Sequence, residues 1–320
     1  MRLLDPKNDL TFKKIFGEHP NLVLSLLNAL LPLEEGQQVE TVEYLQPELV
    51  PEVPWLKDSI VDVRCKDNRG RQFIVEMQVQ WTQTFMARVL FNASKAYVKQ
   101  LDRARKYESL QPVYALNLVD DIFDKKTDEF YHHYSIVNIY DTNKKLDGLE
   151  FIFVELPKFK PEKLRDKKMM VLWLRFLTEV KDGMQDIPEG LEDEKEIGQA
   201  LTILHESSFS DDELYFYDRY WDSVSRERTL IDGKTREAEQ IGMERGMEKG
   251  MEKGMEKGME KGMEKGMKKG MEKGMEKGME KGMEKGISTI ARNMKIEGLP
   301  IEMISKLTGL SVIEIENIKL

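Results

Sequence analysis

One cysteine, four histidines and no long apolar run narrow the chemistry open to this 320-residue chain. With Cys65 alone, no disulfide framework exists, and the residue reads as a small core side chain. His19, His132, His133 and His205 stand at no zinc-ligand spacing with cysteine, so neither a His/Cys metal centre nor a local Ser/His/Asp motif has support. No GxxxxGK[ST] or GxGxxG follows a strand pattern, which leaves a nucleotide cofactor without a phosphate cradle. No stretch of about 18 apolar residues occurs, and the start MRLLDPKNDL carries no apolar h-region, so the expectation is a soluble cytoplasmic chain with no membrane partner. Positive charge is outnumbered as well, with 49 Lys and Arg against 58 Asp and Glu. A net charge of −9 argues against uniform attraction to nucleic acid but leaves room for a local basic groove.

What the chain does have is enough apolar material, 40% of residues, for a sizeable core in one or two domains. It also has an unusual hairpin, SIVDVRCKDNRGRQFIVEMQVQ, residues 59 to 80. With period 2, Ile60, Asp62 and Arg64 share one face of the first run, and Ile74, Glu76 and Gln78 share one face of the second. Lys66-Asp67-Asn68-Arg69-Gly70 is turn chemistry, with Gly70 suited to a left-handed closing position. Closing there pairs Asp67 with Arg71, and counting back sets Asp62 opposite Glu76. Opposed Cβ atoms lie only about 5 Å apart, where like charges destabilise a sheet. Two arrangements offset that repulsion: a divalent cation held by hard oxygen ligands, or a solvated face neutralised by Arg64 or Arg71.

Around the hairpin the pattern alternates. Residues 8 to 17 and 21 to 31 read as helices, stopped by Gly17 and Pro32, with Asn21 as N-cap of the second. Residues 39 to 45 suggest a first strand. Residues 84 to 107 have helical periodicity, with Val89, Ala93, Ala96, Tyr97, Leu101 and Ala104 inward. Arg88, Lys95, Lys99, Arg103 and Lys106 form a basic stripe on that helix, either a track for a DNA backbone or a solvated face. Strands are expected at 112 to 120, 131 to 140 and 151 to 156, then helices near 166 to 180, 192 to 206 and 211 to 227. That order is α/β with a helical second half.

From Met243 to Gly286 the chain repeats Met-Glu-Lys-Gly in eleven tetrads, with a net charge of +2 that leaves −11 for the rest. A period of four drifts by roughly 40° per tetrad on an α-helix, so no face stays apolar. Each glycine costs a helix on the order of 1 kcal/mol relative to alanine. The segment reads as a marginal, solvated helix or flexible spacer, with a Met-lined partner surface as the functional alternative. Residues 287 to 320 resemble a helix-turn-helix, with helices near 287 to 296, 300 to 307 and 311 to 319 and Ser311 as a cap. Glu314 and Glu316 in the would-be recognition helix suit phosphate poorly, so a packing or oligomerisation module competes with a DNA reader. The expected organisation is 1–235, a spacer at 236–286, and a C-terminal module at 287–320.

NDLTFKKIFG with NLVLSLLNALL, then DVRCKDNRGRQFIVEMQVQ, then SKAYVKQL before YESLQPVYALNLVD, resemble the bacterial recombination-promoting nuclease and transposase family of the PD-(D/E)XK superfamily over roughly residues 5 to 230. The resemblance implies a restriction-endonuclease-like mixed sheet flanked by helices, and a DNA endonuclease whose cuts promote recombination. It implies catalytic Asp62, Glu76 and Gln78, with Asp62 and Glu76 as ligands of Mg²⁺ or Mn²⁺. The basic stripe supplies the expected DNA contacts at Arg88, Lys95, Lys99 and Arg103. DNA and a second copy of the chain are the expected partners. Gln78 stands where most of the superfamily has lysine. A neutral amide only hydrogen-bonds, so activation falls more heavily on the metal, with Lys95 or Lys99 as partial substitutes. The rival reading is an inactive nuclease fold that associates with DNA or protein.

Overall fold

The structure, a computed structural model, describes residues 2–49, 59–101, 106–161 and 168–319. The chain divides into two compact units, Met1–Asp232 and Gly233–Leu320.

In the first unit, α1 (Asp9–Phe16) and α2 (Pro20–Leu30) come first. The Asn8 side chain caps α1 by accepting from the Leu10 N–H. The cap expected at Asn21 is not there. Pro20 starts α2 one position earlier, His19 takes the N-cap, and Asn21 Nδ2 donates to Gln199 Oε1 at 2.7 Å. Strands β1 (Glu43–Tyr44), β2 (Val63–Lys66) and β3 (Gln72–Gln78) follow, then α3 (Phe85–Val98), β4 (Val113–Val119), β5 (Tyr131–Asn138) and β6 (Asp141–Glu155). Helices α4 (Lys168–Glu179) and α5 (Lys195–Ile203) lead to α6 (Asp211–Ile296).

The six strands form one mixed sheet in the order β1-β2-β3-β4-β6-β5. Its centre, β3-β4-β6, is parallel, and β1, β2 and β5 add antiparallel edges. Both faces of the centre are covered, as parallel strands require. On one face Val63, Cys65, Phe73, Val75 and Leu116 pack with Phe12, Phe16, Leu26 and Trp173 of the surrounding helices. On the other, Ile74, Ala115 and Phe153 pack with Phe85, Val89, Ala93 and Ala96 of α3. The alternation read from the hairpin therefore sends Phe73 and Val75 to one core and Ile74 to the other.

Helix α3 ends at Val98, well short of residue 107. The Gln100 side chain explains the turn: its Nε2 donates to Gln111 O at 2.8 Å while its Oε1 accepts from Gln111 N at 2.9 Å. That clamp returns the chain toward β4 instead of letting the helix continue. Ala104 and Arg103 lie outside the described residues. The expected strand at 39 to 45 contributes only Glu43 and Tyr44, whereas the strand expected at 151 to 156 begins ten residues earlier, at Asp141.

In the second unit the Met-Glu-Lys-Gly array is helical throughout, as part of α6, and each array methionine is exposed. A Cβ placed on the array glycines meets nothing within 4 Å. The last turns of α6 pack with α7 (Ile301–Thr308) and α8 (Val312–Glu316) around Ala291, Ile304 and Ile315. Gly309 adopts φ +74° as the C-cap of α7, and Ser311 with Glu314 forms a full capping box.

The hairpin turn is locked by a buried acid. Asp67 Oδ1 accepts from Arg69 N (3.0 Å) and Arg71 N (2.8 Å), and its Oδ2 takes Arg71 Nε at 2.7 Å. Asp67→Ala should strand the buried Arg71 guanidinium and lower stability by roughly 3–5 kcal/mol, read as a fall in urea midpoint. A change under about 1 kcal/mol would mean that the turn is held elsewhere. In the array, alanine at Gly250, Gly254, Gly258 and Gly262 should favour helix by on the order of 1 kcal/mol each. Circular dichroism should then show the array melting later while the cooperative transition of the first unit stays put. A shift of that transition would show the array packing on the body.

Candidate active site

The register of the hairpin is as counted from the turn. Val63 pairs with Val75, Arg64 with Ile74 and Cys65 with Phe73, and Asp67 N donates to Arg71 O at 3.0 Å. Extending the same register sets Asp62 against Glu76, one step beyond the last ladder pair. There the backbone of the first strand has left the sheet and a side chain replaces it: Asp62 Oδ2 accepts from Met77 N at 2.8 Å.

Glu76 is buried on the α3 side of the sheet. Asn92, a buried polar residue of α3, donates from Nδ2 to Glu76 Oε1 at 3.0 Å and accepts from Ser59 Oγ on its own Oδ1 at 2.5 Å. Each carboxylate is thus oriented through one oxygen. The other oxygen meets a cation at longer range: Asp62 Oδ1 lies 3.7 Å from Lys13 Nζ, and Glu76 Oε2 lies 3.7 Å from Arg88 Nη2. Lys13 is also paired with Asp9 Oδ1, at 2.6 Å along α1.

Gln78 closes the row on β3. Its Nε2 donates to Gln80 O at 2.5 Å, and its Oε1 accepts from Arg88 Nη2 at 2.6 Å. The segment beyond is pinned to the neighbouring strand's end, since Asp120 N donates to Gln78 O and Trp81 N to Asp121 Oδ2. Asp62, Glu76, Gln78 and Arg88 line one cleft of about 860 Å³, together with Asp9 and Tyr220.

Burial and like charge shape the electrostatics. Glu76 is pushed up to about 7, by loss of solvent first and by the Asp62 charge second, against the pull of Arg88 and Asn92. Burial also raises Asp62, opposed by the Met77 N–H and by Lys13. For Lys13, burial works against the charge, yet the Asp9 hydrogen bond and the Asp62 carboxylate hold the ammonium above its ordinary value. Burial, and then the charges of Asp9 and Asp62, raise the Tyr220 phenol, which stays a proton donor.

The donor set is oxygen-only, and among the described residues no group of three or more His, Cys, Asp and Glu forms a metal cage. Two oriented carboxylates without a cage suit Mg²⁺ or Mn²⁺, which bind through one or two carboxylates and leave positions for water and substrate oxygens. The residues present therefore fit a hard divalent cation.

The basic stripe does not form one continuous row. Arg88 turns into the cleft, Lys95 Nζ donates to Leu49 O, Lys99 is the exposed C-cap of α3, and Arg103 lies outside the described residues. Lys95 is thereby engaged in holding a loop. Among the described residues, the cations nearest the carboxylates are Arg88 and Lys13, and Lys13, Asp9, Asn92 and Tyr220 were not singled out from the sequence. The spacing of Asp9 and Lys13 on one helix was the available signal; Asn92 and Tyr220 had none.

Residues 6–233 match the family described as PD-(D/E)XK nuclease family transposase. No curated protein and no solved structure gives a match.

The raised Glu76 has a definite consequence for stability. An unfolded chain releases this proton near 4.5, whereas the folded chain keeps it to about 7. The folded state binds more protons in that window, so its stability falls as pH rises through it, by on the order of 3 kcal/mol from this group. Glu76→Gln should remove that slope and be the more stable protein at pH 8 in EDTA. Urea midpoints of both proteins across the window check this. Parallel pH profiles would mean that Glu76 ionises normally.

Proposed function

The chain belongs to the PD-(D/E)XK nuclease family transposases, and on that footing we propose a divalent-metal-dependent DNA endonuclease that hydrolyses phosphodiester bonds and promotes recombination. The observation that carries the reading is the opposed pair Asp62 and Glu76, oriented by Met77 N and Asn92 and lining a cleft with Gln78. Stability alone gives no reason to bury two like charges against each other. A site that must bind a cation and a phosphate does.

In this reading Asp62 and Glu76 hold Mg²⁺ or Mn²⁺. A bound cation supplies charge neutralisation at the scissile phosphate and acidifies water. The chain's own residues do the remainder. Asn92 and the Met77 N–H keep the two carboxylates in place. Gln78, at the end of β3, organises the phosphate side of the cleft. Arg88 contacts the DNA backbone from α3, with Lys99 at the end of that helix as a further phosphate contact. Tyr220, which also lines the cleft, offers a protonated hydroxyl.

A second reading has a specific observation behind it: Gln78 is a neutral amide and cannot offset charge on phosphorus. On that reading the fold binds DNA without cutting it. Nicking of supercoiled plasmid with Mg²⁺ separates the two. Wild-type protein should nick, and Asp62→Ala and Glu76→Ala should fall to background. Both variants should also lose the Mg²⁺-dependent rise in melting temperature, which corresponds to about 2.7 kcal/mol at a hundredfold excess over Kd. Equal nicking by all three proteins, or equal melting shifts, would remove the carboxylate pair from the function.

A further inference from the structure

Gln78 has a fixed amide orientation and a charged neighbour. Its Nε2 is committed to Gln80 O, which directs Oε1 at Arg88, and the resulting hydrogen bond is 2.6 Å. The same guanidinium lies 3.7 Å from Glu76 Oε2 and stands over the Phe85 ring, with 5.0 Å from Cζ to the centroid. Phe85 and Arg88 are one turn apart on α3, so the ring flanks the side chain from its own helix. Arg88 is nonetheless half exposed, at 50% of its side chain, and lines the cleft. A surface arginine tracking a DNA backbone has no need of a short contact to a neutral amide, a carboxylate and a ring. A cation being presented to one point does. A guanidinium also has donors to spare: after Gln78 and Glu76 are served, further N–H groups remain for two phosphate oxygens.

We propose that Arg88 is the charge-stabilising cation at the scissile phosphate and that Gln78 is its positioning residue, so that a glutamine on β3 and an arginine on α3 together do what a single lysine would do at Gln78. In the hydrolysis, a water oxygen bonds to phosphorus and the bond to one sugar oxygen breaks. The electron pair leaves with that oxygen, which takes a proton derived from the water. Negative charge gathers meanwhile on the phosphate oxygens, where Arg88 offsets it. The proposal rests on the nuclease reading above for its catalytic half, while its positioning half concerns Arg88 and Gln78 in DNA binding as well.

The test is a double-mutant cycle on the full chain with two readouts: plasmid nicking in Mg²⁺, and Kd for a labelled DNA duplex in Ca²⁺. Arg88→Ala should slow nicking by at least about 100-fold, with partial recovery in Arg88→Lys. Gln78→Ala should cost about tenfold, and the double variant should be no worse than Arg88→Ala alone, because a positioning residue has nothing left to position. Gln78→Lys placed in the Arg88→Ala background should return at least about tenfold of the lost rate, a rescue that a purely structural glutamine would not allow. Losses in duplex affinity should likewise be non-additive. Additive losses on both readouts, or wild-type nicking by Arg88→Ala, would overturn the proposal. If the wild type itself fails to nick with Mg²⁺ or Mn²⁺, the nuclease reading and with it the catalytic role of Arg88 fall. The affinity cycle still decides whether Gln78 positions Arg88 for DNA.

Discussion

Everything in the cleft follows from one repulsion, that between two carboxylates set opposite each other where a two-stranded ladder ends. The register responsible is closed by Asp67 and Arg71, a buried acid and base at the turn, and it leaves Asp62 no other partner position than Glu76. Burial makes the repulsion severe, since the dielectric that would screen it is removed along with the water. The surrounding side chains can be read as responses. Asn92 and the Met77 N–H hold one oxygen of each acid, and Lys13 and Arg88 stand near the others. The 3.7 Å separations are long for ion pairs, so the cations moderate the charge without cancelling it.

The rest of the fold makes that arrangement affordable. A parallel centre with both faces buried carries the stability, and the polar row Glu76 and Gln78 is confined to the carboxyl end of β3. Ligand sites in open α/β sheets lie beyond the carboxyl ends of strands because the ladder ends there and backbone groups become available to side chains. Asp62 shows the principle at one residue. The backbone ladder of β2 begins at Val63, so the Met77 N–H that a longer strand would have paired is instead accepted by a carboxylate. A β2 longer by two residues would satisfy the sheet better and spoil the site.

How much of this was legible depended on distance along the chain. The hairpin could be counted because its turn residues and its alternation are local, and both faces came out as counted. The helix α3 could be started but not ended, since its stop is a clamp between Gln100 and Gln111, a contact across eleven residues with no Gly or Pro to announce it. The cations separate in the fold for a related reason. A stripe of Arg and Lys at helical spacing looks like one surface, but Arg88 turns into the cleft and Lys95 is drawn to the Leu49 carbonyl from a loop far upstream. Lys13 and Asn92 reach the carboxylates, and Tyr220 the same cleft, from three separate helices, and only the fold brings them together. In the array the glycines argued for weak helix, and the helix is there, because solvated glycine lowers helix propensity without any clash to forbid it.

The acidity of the chain bears on function through the cleft and hardly at all through the total. Charges more than about 10 Å apart are largely screened at physiological salt, so the −9 of the whole chain is not what an approaching phosphate meets. It meets Asp9, Asp62, Glu76 and Glu227 against Lys13 and Arg88. With all six ionised, that local balance is negative, which disfavours a phosphate at the place where Arg88 is presented. Protonation of Glu76 near neutrality halves the deficit, and a divalent cation between the acids would cancel it. The raised Glu76 thus marks a cleft short of positive charge. In the proposed nuclease, affinity for a divalent cation and affinity for a phosphate would then rise together, since the cation supplies the positive charge that the phosphate needs.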